Sequence, residues 1–148
     1  MRNIWLGLVA VSLMFAQAQK QQNRAQEDRS RATYEGAYDP TEPLRFNPEP
    51  NSFLMECIKD RRPGRALDVG MGNGRNSIAL AQAGWDVTGF DIASAGVEQA
   101  RKKASERGLK LKALVKSEQQ FDFGVNQWDL IVLTYQPFRD ILAVSRRA

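Results

Sequence analysis

The run Ala66-Leu67-Asp68-Val69-Gly70-Met71-Gly72-Asn73-Gly74-Arg75-Asn76 constrains this chain most, because an apolar stretch passes into a helical pattern through glycines at alternate positions. Such a loop is a strand-to-helix turn whose main chain can approach a ligand with no Cβ atoms in the way. Asp68 stands two residues before the first glycine. Asp91 ends a second apolar stretch, Trp85-Asp86-Val87-Thr88-Gly89-Phe90-Asp91. A carboxylate at that place can accept hydrogen bonds from both hydroxyls of a ribose. The pair of strand ends therefore reads as a site for a nucleoside cofactor.

The alternation continues on both sides of this loop. Strands are expected at 66–70, 85–91, 110–116 and 129–135, with helices at 75–83 and 94–107 closed by Gly84 and Gly108. Ser94 is the expected N-cap of the second helix, and Val97, Ala100 and Ala104 form its inward stripe. Upstream, a helix over 51–60 carries Phe53, Leu54, Cys57 and Ile58 as an apolar face, which makes Cys57 a buried thiol. A last amphipathic helix is expected from Pro137 through Phe138, Ile141, Leu142 and Val144. Strands alternating with helices imply an α/β, Rossmann-like, doubly wound parallel sheet in order 3-2-1-4, with the ligand at the carboxyl ends of strands 1 and 2.

A dinucleotide fingerprint needs glycine at its sixth position, and counted from Gly70 that residue is Arg75, which disfavours a nicotinamide cofactor. Glycine falls on the fifth position instead. That spacing, with Asp68 upstream, resembles the first motif of class I S-adenosylmethionine-dependent methyltransferases. The continuation Gly72-Asn73-Gly74-Arg75-Asn76-Ser77-Ile78-Ala79-Leu80-Ala81, followed by Gly84-Trp85-Asp86-Val87-Thr88-Gly89-Phe90-Asp91, looks particularly like the branch holding tellurite-resistance and thiopurine-type enzymes. The resemblance spans about 65–135. It implies S-adenosyl-L-methionine as cofactor, with Gly70, Gly72 and Gly74 around its methionine part and Asp68 near its ammonium. Asp91 would hold the ribose, and Ile92 would pack on the adenine. For the adenine amino group Glu118 is the nearest match and Ser117 the alternative. Thr134 and Tyr135, at the end of the fourth-motif strand, are candidates to line the methyl-transfer centre. Methyltransferases of this kind often cover the cofactor with an irregular segment, and 34–50, with its prolines and the aromatics Tyr34, Tyr38 and Phe46, could supply one or could simply pack. The implied reaction is methyl transfer to a small-molecule acceptor; a non-catalytic fragment that only binds S-adenosylmethionine or S-adenosylhomocysteine is the alternative. No catalytic base stands out.

Composition narrows the chemistry further. The chain has no histidine and one cysteine, so histidine-based acid-base work, Ser-His-Asp triads, an internal disulfide and nearly all zinc sites are excluded. The net charge of +4 is a weak basic excess. Lys110, Lys112 and Lys116 alternate along the third strand, with Leu109, Leu111, Ala113 and Val115 opposite, as expected of a protected sheet edge. No aromatics interleave with them, so no nucleic-acid partner is expected. Arg75 in the first turn of a helix opposes the helix dipole, which suits either an anionic partner or a solvent-facing arginine.

Residues 1–18 read as a signal-peptide-like segment: Met1-Arg2-Asn3, an apolar stretch from Ile4 to Ala16 too short to span a bilayer, and Ala16-Gln17-Ala18 as a cleavage site. A flexible polar leader, 19–33, and a partial methyltransferase domain, 34–148, would follow. Export conflicts with a cytoplasmic methyl donor. An uncleaved segment with a cytoplasmic domain behind Lys20, Arg24, Arg29 and Arg31 is the alternative, and the start site could also have been placed too far upstream. Leu130-Ile131-Val132-Leu133 reads as a strand covered on both faces and paired on both sides, yet the sheet of the resembled family continues beyond a fourth strand. The expectation is an amino-terminal part of a longer enzyme, completed by carboxyl-terminal strands, another chain or an oligomer.

Overall fold

The computed structural model describes residues 3–39, 41 and 46–134. A long helix, α1 (Asn3–Ala37), is followed by α2 (Ser52–Ile58), β1 (Arg65–Val69), α3 (Arg75–Gln82), β2 (Asp86–Asp91), α4 (Ser94–Glu106), β3 (Leu111–Val115) and β4 (Leu130–Leu133). The strands form one parallel sheet in order β3-β2-β1-β4, with Leu67 opposite Thr88 and Ile131. This is the Rossmann-like arrangement expected from the alternation. Tyr135 and the helix expected from Pro137 lie outside the described residues.

The alternation of side chains along β1 and β2 sorts the two sheet faces. Ala66 and Val87 point toward α2 and α3 and pack with Leu54, Ile58, Leu80, Trp85 and Val132. Met71, Val97, Ala100 and Ala113 extend that layer under α4. Leu67, Val69 and Phe90 point the other way, onto a loop carrying Phe121, Phe123 and Trp128. Phe121 stacks on Phe90 at 4.3 Å, and Phe123 meets both rings edge-on. The second face of this part of the sheet is thus covered by an aromatic loop.

Three local expectations are corrected. Cys57 is exposed, as is Phe53, because α2 turns the Leu54 and Ile58 stripe inward and the neighbouring i, i+4 pair of Phe53 and Cys57 falls outside it. Ser94 is the first residue of α4, not its cap; Ala93 holds the cap position and offers no side-chain oxygen. On β3, Leu114 rather than Val115 is packed, and Val115 is 38% exposed.

Residues 19–33 differ from the flexible leader expected of them and are helical, as are Tyr34 to Ala37 at the start of the segment expected to be irregular. The stretch is rich in Gln, Ala, Arg, Glu and Lys, all good helix formers, and holds neither glycine nor proline before Gly36. Most of the described side chains of α1 are exposed, including Leu13, Met14 and Phe15. No helix among the described residues is long and apolar enough to cross a membrane.

Candidate cofactor site

The glycine loop leaves β1 with Gly70, Gly72 and Gly74 all at positive φ, which closes these positions to most side chains. They do two different jobs. Gly70 and Gly72 line a cavity of about 340 Å³ together with Met71, Asn73, Arg75, Asn76, Tyr38 and Thr134. Gly74 is not among the residues lining this cavity; it caps α3, and a Cβ there would stand 2.6 Å from that of Ala100, so its bareness lets α3 and α4 close up.

Asp91 is the polar centre. It is 7% exposed, and its two oxygens accept N–H bonds from Gly72 and Ala93, both at 2.8 Å. The carboxylate thus ties the glycine loop to the start of α4. Burial raises its pKa, against the opposing effect of these amides, and the nearby Glu35 carboxylate raises it further. A carboxylate offers about four acceptor directions, so acceptor capacity remains for a ligand's hydroxyls.

A second cavity, about 850 Å³, opens on the other side of Asp91. Ile92, Ser117 and Glu118 line it from the sheet side, and one face of α1 lines it from above, through residues such as Asn23, Ser30 and Tyr34. The Ser117 hydroxyl is buried and has no partner. Buried polar atoms are almost always satisfied, so this one is poised for a ligand or a water. Burial, then Asp91, raises the pKa of Glu118. Gly70, Asp91 and Tyr34 line both cavities and mark where the two meet, which is termed the neck.

Of the residues singled out from the sequence, Gly70, Gly72, Asp91, Ile92, Ser117, Glu118 and Thr134 are brought together around these two spaces. Asp68 is not. Its carboxylate is fully buried beneath the loop, accepts a 2.7 Å bond from the Ser77 hydroxyl, and leaves its other oxygen unpartnered. Burial pushes its pKa up to about 6. Arg75 donates to the carbonyls of Asn47 and Glu49, which fasten the segment after α1 to the loop.

Three residues at the end of α1 carried no motif that would have marked them. The Glu35 carboxylate accepts the N–H and hydroxyl of Ser94 at 2.6 and 2.8 Å and the N–H of Ala95 at 2.9 Å. Tyr38 is buried between Gly72 and Gly96: a Cβ on Gly72 would overlap its hydroxyl, and one on Gly96 would meet its ring at 3.0 Å. Burial, with Asp91 nearby, holds the phenol well above its ordinary pKa, so it stays a neutral donor. Tyr34 stands at the neck. The two tyrosines were signalled only as aromatics of the segment that could cover the cofactor, and Glu35 carried no signal.

A family model described as a methyltransferase domain matches residues 66–147, more than half of the chain. The chain belongs to the methyltransferase domain family. Over 67 residues it is 40% identical to a ubiquinone biosynthesis O-methyltransferase of Bordetella avium, a match covering 45% of this chain and 28% of that protein. Over 64 residues it is 30% identical to a ribosomal RNA small subunit methyltransferase C of Alcanivorax borkumensis, covering 41% of this chain and 20% of that one. The chain thus spans less than a third of the length of these curated relatives. Among solved structures, a putative S-adenosyl-L-methionine-dependent methyltransferase from Methanococcus maripaludis superposes with a TM-score of 0.54 at 22% identity, covering 64% of this chain and 46% of that one. At that identity the likeness speaks for the fold.

Proposed function

We propose that this methyltransferase-family chain binds S-adenosyl-L-methionine across the two cavities and presents its methyl group to a small-molecule acceptor on the Thr134 side. The observation that carries this reading is the border at Asp91 and Gly70, which a loop-lined cavity shares with one lined by Ser117, whose buried hydroxyl has no partner. The residues present fit the cofactor. Asp91 has acceptor capacity left for ribose hydroxyls, Ile92 offers an apolar surface for the adenine, and Ser117 or Glu118 can meet its polar edge. Gly70 and Gly72 let the methionine part approach the main chain, as the family resemblance implies.

The cofactor supplies an activated methyl on sulfur. The residues of the chain bind it, orient it and exclude water, and alignment of this kind is worth about 7 to 11 kcal/mol at best. The match to a methyltransferase domain favours transfer over a binding-only module. The resemblance around residues 72–91 supports the tellurite-resistance and thiopurine-type branch, whereas the curated relatives include ubiquinone O-methyltransferases. Both suit a small acceptor.

Calorimetry of the full chain with S-adenosylhomocysteine and, separately, with NAD tests the reading. Saturable binding of the first alone, weakened at least tenfold (about 1.4 kcal/mol) in Asp91→Asn, is the expected result. Binding of NAD alone, or of neither, would overturn it.

A further inference from the structure

The proposed cofactor site has a roof, and one side chain from far along the sequence makes three of the hydrogen bonds that fasten it. Ser94 and Ala95 expose the first amides of α4, and no residue next to the helix caps them. Glu35 does so instead, across about sixty positions, with three hydrogen bonds. Partial burial works against its charge, but the amides of Ala95 and Ser94 and the Ser94 hydroxyl outweigh this and lower its pKa, so it remains a carboxylate at neutral pH. One turn later Tyr38 drops between Gly72 and Gly96, and its carbonyl accepts a 2.8 Å bond from Gln99 on α4. The last turn of α1 and the residue that follows it thus carry the neck residue Tyr34, the fastener Glu35 and the cavity-wall residue Tyr38.

We infer that Glu35 is a positioning residue for the methyl donor: by holding the end of α1 on the first turn of α4, it seats Tyr34 and Tyr38 as walls of the cofactor site. The inference rests on the functional reading above and deepens it. Residues 91–95 become a two-sided joint. Asp91 draws in the amides of Gly72 and Ala93 from the loop side, and Glu35 draws in those of Ser94 and Ala95 from the roof side. Loss of the Glu35 charge frees the roof while leaving Asp91 and the glycine loop in place.

A double-mutant cycle on the full chain separates this role from simple capping of a helix. S-adenosylhomocysteine affinity is measured for the wild type, Glu35→Gln, Tyr38→Ala and the double variant, together with hydrogen exchange of each protein without ligand. Glu35→Gln is expected to weaken binding about tenfold and to speed exchange at 34–38, with the slow amides of β1 and β2 unchanged. The double variant should bind no worse than Tyr38→Ala. Additive losses would make Glu35 a cap and nothing more, and unchanged affinity or unchanged exchange at 34–38 in Glu35→Gln would also overturn the inference. If the wild type ignores S-adenosylhomocysteine, the functional reading falls and the positioning role falls with it, whereas normal wild-type binding with an insensitive Glu35→Gln removes the positioning role alone.

Discussion

The floor and the roof of the site are built by opposite means. The floor, from β1 through the glycine loop to α3 and α4, is local: strand, turn and helix follow one another within about forty residues, and its conformation is imposed by glycines and buried apolar side chains. The roof is the end of a mostly exposed helix, held by a handful of polar contacts to residues about sixty positions away. The floor should therefore break through folding. The roof should break through binding, with little change in stability.

The largest effect is expected on the floor. Gly74→Ala forces a side chain into a left-handed conformation, worth about 1 to 2 kcal/mol, and drives its Cβ against Ala100 at 2.6 Å, worth about 1 to 3 kcal/mol more as overpacking. A loss of about 2 to 5 kcal/mol in denaturant unfolding is a large part of the about 5 to 15 kcal/mol that holds a domain together. A loss below about 1 kcal/mol would show that α3 and α4 are not closely packed there.

Asp68 sharpens the contrast from the other side. Its folded pKa of about 6 lies above the ordinary aspartate value, so between the two the folded state binds the extra proton. Stability from this group is present at low pH and is lost as the pH rises through about 6, the reverse of a salt-bridged aspartate. Asp68→Asn, which keeps an acceptor for Ser77, is expected to flatten the stability profile between about pH 4 and 6 and to raise stability at neutral pH by up to about 3 kcal/mol. An unchanged slope would remove Asp68 as its source.

These two regions also differ in how far they could be read from sequence. The strands and helices of the floor fall within a residue or two of their expected bounds, because each joins a burial period to a glycine or proline stop. Thr134, expected beside the transfer centre, lines the smaller cavity and takes a hydrogen bond from Asn76 at 3.1 Å. Cys57 and Ser94 went astray for physical reasons. A short helix with two adjacent apolar pairs buries only one of them, and a cap can be supplied by a side chain far along the chain. Glu35 was hidden, and Tyr38 was legible only as one aromatic of a segment that could cover the cofactor or simply pack, because α1 has no apolar stripe to announce a docked face; it is held at its end by a carboxylate on amides and a ring between two bare glycines. Such contacts leave no period in a sequence.

Ser117 should move binding more than folding. Its hydroxyl is buried without a partner, so Ser117→Ala removes an unmet desolvation cost and is expected to leave stability unchanged or up to about 1 kcal/mol higher. The same change should weaken S-adenosylhomocysteine by about three- to tenfold, because Ser117 is a lining residue of the cavity proposed for the adenosine and its hydroxyl has no partner within the chain. A clear fall in stability with no change in affinity would assign the hydroxyl to the fold.

The smallest effect is expected where the sequence looked most like a signal. Among the described side chains of residues 12–18, Ala16 lines the larger cavity, while Tyr34, Glu35 and Tyr38 all lie beyond the cleavage site expected after Ala18. Leu13, Met14 and Phe15 are 58%, 69% and 72% exposed, so little packing is lost with them. A chain starting at Gln19 should therefore match the full chain within about 0.5 kcal/mol in stability and bind S-adenosylhomocysteine as tightly. A chain starting at Gly36, which lacks both the neck residue and the fastener, should keep its stability and lose affinity. If removal of 1–18 alone abolished binding, the roof would extend along the whole of α1, and the division between a local floor and an end-fastened roof would fail.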